Sequence, residues 1–171
     1  MKYQDCIELA QAPDVMPDGT RLSGVNINPR TGLATDYLNH FNEAIMLLEM
    51  LPACPDCLED FLAWRPMDYR EHFAAAHFKG RDLAIAAYDE AEPNLRAHLM
   101  SLADTMTAVL LATRDALRSD MPPDSARILA LSTATGLKPL IARAGAVING
   151  EADAEASPQA VVDSLMKRFA R

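Results

Sequence analysis

EPNLRAHLMSLADTMTAVLLATRDA, residues 92–116, is the stretch that decides the fold class. Glu92-Pro93 opens it, because proline at the first helical position gives up only an N–H that the helix would not use. Behind it Leu95, Leu99, Leu102, Met106, Val109, Thr113 and Ala116 recur at alternating steps of four and three. That spacing draws one apolar stripe along a helix and is the seam of a helical bundle. Thr113 is its polar member, and its methyl group still packs.

Working outward, Pro122-Pro123 closes this region and Asp124 to Asn149 forms another helix, with Ala130, Ala134, Leu137, Ile141, Ala144 and Ile148 on one stripe. Pro139 is expected to kink or split it, since proline removes a backbone donor and clashes with the preceding turn. Asn149-Gly150 reads as a left-handed stop. Upstream, Asp68 and Glu71 make a capping box, each side chain accepting a backbone N–H at the helix entrance. The helix behind it carries Tyr69, Phe73, Ala76, Leu83, Ala84 and Ala87 to about Glu90, weakened in the middle by Gly80. An earlier helix spans about Thr31 to Leu51, with Tyr37, Leu38, Phe41, Ile45 and Leu48 on one face and Pro52 as its stop. Cys57 to Trp64 reads as a short helix.

The ends are less regular. A short helix over residues 1–12 is compatible with the sequence, after which Pro13, Pro17, Gly19, Gly24 and Pro29 punctuate a polar stretch. Residues 1–30 are therefore assigned to an irregular N-terminal arm and 31–171 to a helical bundle domain. Glu151 to Ala156 is an acidic linker, and Ser157-Pro158 caps a last amphipathic helix carrying Val161, Val162, Leu165, Met166 and Phe169. The expected fold is all-α, a mostly antiparallel helical bundle of four principal helices with short flanking helices.

Composition agrees. The 171 residues are 50% hydrophobic but only 6% aromatic, with seven glycines, and Ala, Leu and Met, all good helix formers, dominate. A chain of this size buries roughly 70% of its unfolded surface and needs neither metal nor disulfide to fold. Sixteen basic against twenty-four acidic residues leave a charge of −8, with no basic stripe for a phosphate backbone, so no nucleic-acid partner is expected. Leu83 to Tyr88, the longest apolar run, is far too short to span a bilayer. Three cysteines do not make a disulfide framework, and no secretory signal is read at the N-terminus, so the expected location is cytoplasmic.

Three constellations carry possible chemistry. Cys54-Pro55-Asp56-Cys57 is followed by fourteen residues and then His72 and His77, the spacing C-x2-C-x14-H-x4-H of a zinc site. Two thiolates on a turn and two imidazoles from a helix would complete a tetrahedron. Against it, Leu58 replaces the glycine usual after such a turn, and residues five apart on a straight helix point about 140° from one another. The same two cysteines also read as a thiol-redox pair, because a helix N-terminus stabilises thiolate. Over these four residues the chain resembles the CxxC of the all-helical carboxymuconolactone-decarboxylase-like proteins, which implies redox use of Cys54 and Cys57. It departs from them at Phe61, where the family has its proton-transferring histidine.

The third constellation is a polar edge of Asp36, His40 and Glu43 at steps of four and three, which Glu71 or His72 would have to face to build a di-iron-type cluster. The paired Glu-x-x-His motifs of that class are missing, and the edge reads as a solvated or hydrogen-bonded border. Trp64 reads as a plug at a helix joint, and Phe41, Phe73 and Met106 as the lining of any internal pocket. The functional expectation is a non-catalytic protein-interaction or oligomerisation module with no cofactor, bound to a protein partner or to copies of itself, because the seam and the amphipathic tail exceed what a four-helix body requires. The alternative is a zinc-binding or thiol-redox protein built on Cys54 and Cys57.

Overall fold

A computed structural model describes residues 26–76 and 80–151. Six helices follow in order: α1 (Tyr37–Met50), α2 (Cys57–Ala63), α3 (Tyr69–Ala75), α4 (Arg81–Glu90), α5 (Pro93–Leu117) and α6 (Pro123–Asn149). Among the described residues there is no strand, only an isolated antiparallel bridge between Ile27 and Ala34, so the fold is all-α. No helix among them is long and apolar enough to cross a membrane. The helix expected at Ser157–Phe169, like residues 1–25, lies outside the described residues.

Local signals place most boundaries. At α3 both halves of the capping box form: the Asp68 carboxylate accepts from Glu71 N–H (2.8 Å) and the Glu71 carboxylate from Asp68 N–H (3.0 Å). Glu92 caps α5 by accepting from Leu95 N–H at 2.9 Å. Gly150 adopts φ +67°, Glu151 N–H reaches the Ala146 carbonyl at 2.9 Å and Gly150 N–H that of Val147 at 3.1 Å. These are the paired bonds of a Schellman stop.

Three expectations are corrected. The helix expected from Asp68 to Glu90 is broken: Ala76 leaves helical geometry at ψ 137°, and Gly80 caps α4 instead of weakening a continuous helix. The second of the four principal helices is thus two short ones, leaving three long helices among the described residues. The first begins at Tyr37, six residues later than expected. Gly32 at φ +69°, with Gly32 N–H bonded to the Asn28 carbonyl and Asn28 N–H to that of Leu33, holds residues 28–33 in a turn. That turn belongs to the core, because Ile27 and Leu33 are buried and the Thr31 hydroxyl donates to the Ile148 carbonyl at the end of α6. Finally, of the kink or split expected at Pro139, the split does not occur, and α6 runs unbroken through it. Pro139 and Thr135 are both exposed, so the carbonyl that loses its helical partner faces water instead of the core.

The seam of α5 is turned inward, and it drifts. Leu99, Leu102, Ala103, Met106, Leu110, Thr113 and Leu117 are buried, while Val109 and Ala116 are only partly so. An untwisted helix advances about 20° per heptad against a strict 3.5-residue repeat, which moves the stripe from 109 and 116 to 110 and 117. The Thr113 hydroxyl donates to the Val109 carbonyl (2.9 Å), so in its 3.0 Å contact with Thr133 of α6 the Thr133 hydroxyl is the donor. α6 packs most extensively on α5 and on α1. Along α1 and α6 the contacts run in opposite senses: Leu38 fills the space beside Gly145, and Glu49 pairs with Lys138. These two helices are therefore antiparallel. Phe41, Phe73 and Met106 lie in the core.

Candidate functional site

The first long helix turns His40 inward, where it is 3% exposed. Its ring stacks on Trp64 (centroids 4.8 Å, 23° between planes), and His72 of α3 lies 5.9 Å away. Trp64 N–H donates to the His40 carbonyl (3.1 Å), and Met67 N–H donates to His40 Nε2 (3.1 Å). With Nε2 accepting, the neutral ring carries its proton on Nδ1. Burial, with a smaller part from the neighbouring His72, lowers the His40 pKa to about 4 against a hydrogen bond to the Arg65 backbone. Burial also lowers His72, against a hydrogen bond to the Asp36 carbonyl and the charges of Asp36 and Glu43.

Beside this stack lies an open groove of about 790 Å³, lined by His40, Glu43, Trp64, Arg65, Met67 and Glu71 among others. Four members of the third constellation are thus brought together: His40 and His72 in ring contact, Glu43 and Glu71 on the groove wall. The arrangement is poorly suited to proton transfer, because the lone pair a general base would use already accepts Met67 N–H. His40 acts as a hydrogen-bonded joint between α1 and the residues linking α2 to α3. Trp64, 7% exposed, plugs the same joint. Asp36 stays at the surface, 3.4 Å from the Asn26 amide.

Of the proposed zinc set, Cys54 and Cys57 are not brought to His72. Cys54 N–H bonds to the Met50 carbonyl, so the CxxC turn hangs from the C-terminal end of α1. His72 packs beside Tyr37 and His40 near the other end. From His40 to Met50 a helix rises roughly 1.5 Å per residue, about 15 Å in all, whereas ligands of one zinc ion sit about 2 Å from it. Cys54 and Cys57 are adjacent to one another and remote from His72. His77 lies outside the described residues, among which no group of three or more His, Cys, Asp or Glu side chains is arranged to hold a metal ion.

Sequence reasoning did not anticipate the aromatic stack that follows. Tyr69 stacks on Tyr88 (4.3 Å, 16°), touches Tyr37 and Phe73, and its hydroxyl accepts from Ala34 N–H at 2.8 Å. Nor did it anticipate an exposed apolar surface on α1 and α6. Met46 is 51% exposed, Met50 44%, Ile128 67% and Leu131 44%. Leu131 lies two turns before Lys138 on the same side of α6, with Ile128 one turn further. Met46 lies one turn before Glu49 on α1. Met46 and Met50 thus flank Glu49 of the exposed Glu49–Lys138 ion pair that links the two helices, while Ile128 and Leu131 lie on α6 towards its N-terminal end.

No family model, no curated protein and no solved structure matches the chain.

Proposed function

We propose that the protein is a non-catalytic interaction module of the cytoplasm that associates with a second copy of itself through the outer face of α1 and α6. The observation that carries this reading is the exposure of Met46 and Met50 on α1 and of Ile128 and Leu131 on α6. Leaving large apolar side chains in water is unfavourable by roughly 25 cal/mol per Å² of apolar surface, and contact with another face removes that exposure. The seam of α5 contributes nothing to it, because that stripe is consumed inside the body.

The choice of a second copy rests on charge. The chain as a whole carries −8, which opposes close approach, but beside these apolar side chains acids and bases stand in pairs, Glu49 with Lys138 and Asp124 with Arg127. Such a surface is self-complementary about a two-fold axis: Lys138 of one copy meets Glu49 of the other. Replacing Ile128 and Leu131 together by glutamate places charge on the α6 part of the face while leaving the core intact. Light scattering at a concentration where the wild type is dimeric is expected to return a monomer for this variant. A variant with unchanged mass contradicts the assignment of the face.

A further inference from the structure

Cys54 and Cys57 lie just beyond the end of α1, with Cys54 hydrogen-bonded to Met50 of the surface just described and both remote from the histidine cluster. Cys57 N–H donates to the Cys54 carbonyl at 3.1 Å, closing a four-residue turn. Pro55 supplies the second position of that turn, and Asp56 follows at φ −65°, ψ −22°. Proline's fixed φ suits this position, and such a turn holds its end Cα atoms within about 7 Å. A disulfide bridges Cα atoms about 4.4–6.8 Å apart, so oxidation asks little of the backbone. Cys57 begins α2 and is 6% exposed, while Cys54 is partly exposed.

We propose that Cys54 and Cys57 are a reversible dithiol–disulfide couple, with Cys54 the attacking sulfur and Cys57 the resolving one. The co-reactant is an external disulfide. The Cys54 thiolate attacks one of its sulfurs, forming a mixed disulfide and releasing the other sulfur as a thiolate. Cys57 then gives up its proton and attacks Cys54 Sγ, which closes the internal disulfide and expels the second external sulfur as a thiolate. Two electrons pass from the cysteine pair to the external disulfide, which leaves as two thiols.

The division of labour follows from the surroundings. An incoming disulfide reaches the more exposed sulfur. Interaction with the Cys54 sulfur pushes the Cys57 thiol up, as do burial and the charge of Asp60 and Asp56, which disfavours Cys57 as the first attacker. Because the pair spans a single turn, the second attack needs no movement of α1 or α2.

The test equilibrates the full chain with oxidised glutathione and maps its cysteines by mass spectrometry. The expected product is an internal Cys54–Cys57 disulfide, with both thiols lost together. The Cys57→Ser variant is expected to accumulate a glutathione adduct at Cys54, and Cys54→Ser at least about tenfold less adduct at Cys57. Because Cys57 is buried and its replacement could disturb folding, the folded wild type is also alkylated with iodoacetamide. Cys54 is expected to react at least about tenfold faster than Cys57. Glutathione adducts that persist on the wild type without an internal disulfide, pairing of either cysteine with Cys6 instead, or equal alkylation of the two would overturn the proposal.

Discussion

Acidification should loosen the joint between α1 and the residues leading into α3, and the structure sets the size of the effect. His40 has its pKa lowered from 6.5 to about 4 in the folded protein, chiefly by burial. An unfolded chain therefore binds more protons than the folded one between these values, and stability falls as pH drops from 6.5 towards 4. Integrated between pH 7 and pH 5, that difference costs at most about 2 kcal/mol. The groove beside His40 admits water, which screens the charged form and brings the expected loss nearer to about 1 kcal/mol. His40→Gln removes the titration but keeps an acceptor for Met67 N–H. Urea denaturation of both proteins at pH 7, 6 and 5 isolates the term, because surface carboxylates titrate alike in the two. The wild type should lose about 1–2 kcal/mol more than the variant over this range. Parallel stability profiles would refute the buried, neutral state of His40.

Other substitutions probe the frame around it. Gly32→Ala puts a Cβ 2.7 Å from the Ala87 carbonyl oxygen at φ +69°, so a loss of roughly 2 kcal/mol or more is expected by thermal denaturation. Thr113→Val leaves the Thr133 hydroxyl without its acceptor in the α5–α6 interface and should cost about 1–3 kcal/mol. The double variant with Thr133→Val should recover part of that loss, and additive costs in a double-mutant cycle would contradict the shared bond. Pro139→Ala restores an N–H for the Thr135 carbonyl at an exposed site and should stabilise the protein by about 1–3 kcal/mol, read as a raised melting temperature.

What the sequence revealed and what it concealed divide along physical lines. The capping box at Asp68 and Glu71, the proline after Glu92 and the stop at Asn149-Gly150 act within one turn of backbone, so they are legible from neighbouring residues. The stripe of α5 was legible as a stripe, and only its drift needed the helix's own pitch. The spacing of Cys54, Cys57 and His72 misled, because linear distance does not show that α1 separates the turn from the histidine. α2 starts at the far end of α1 and returns to set Trp64 against His40, so the chain reaches His72 only where α1 begins. The polar edge of Asp36, His40 and Glu43 was visible on the helix, but which member turned inward depended on Trp64 and Met67. The exposed face of Ile128 and Leu131 could not be read at all, since exposure is set by what the rest of the fold leaves uncovered.

Sedimentation equilibrium of the wild type over a hundredfold range of concentration tests the central claim most directly. The account predicts a mass that rises from one copy to two as concentration increases, with the transition abolished by glutamate at positions 128 and 131. A mass of one copy throughout that range would contradict it.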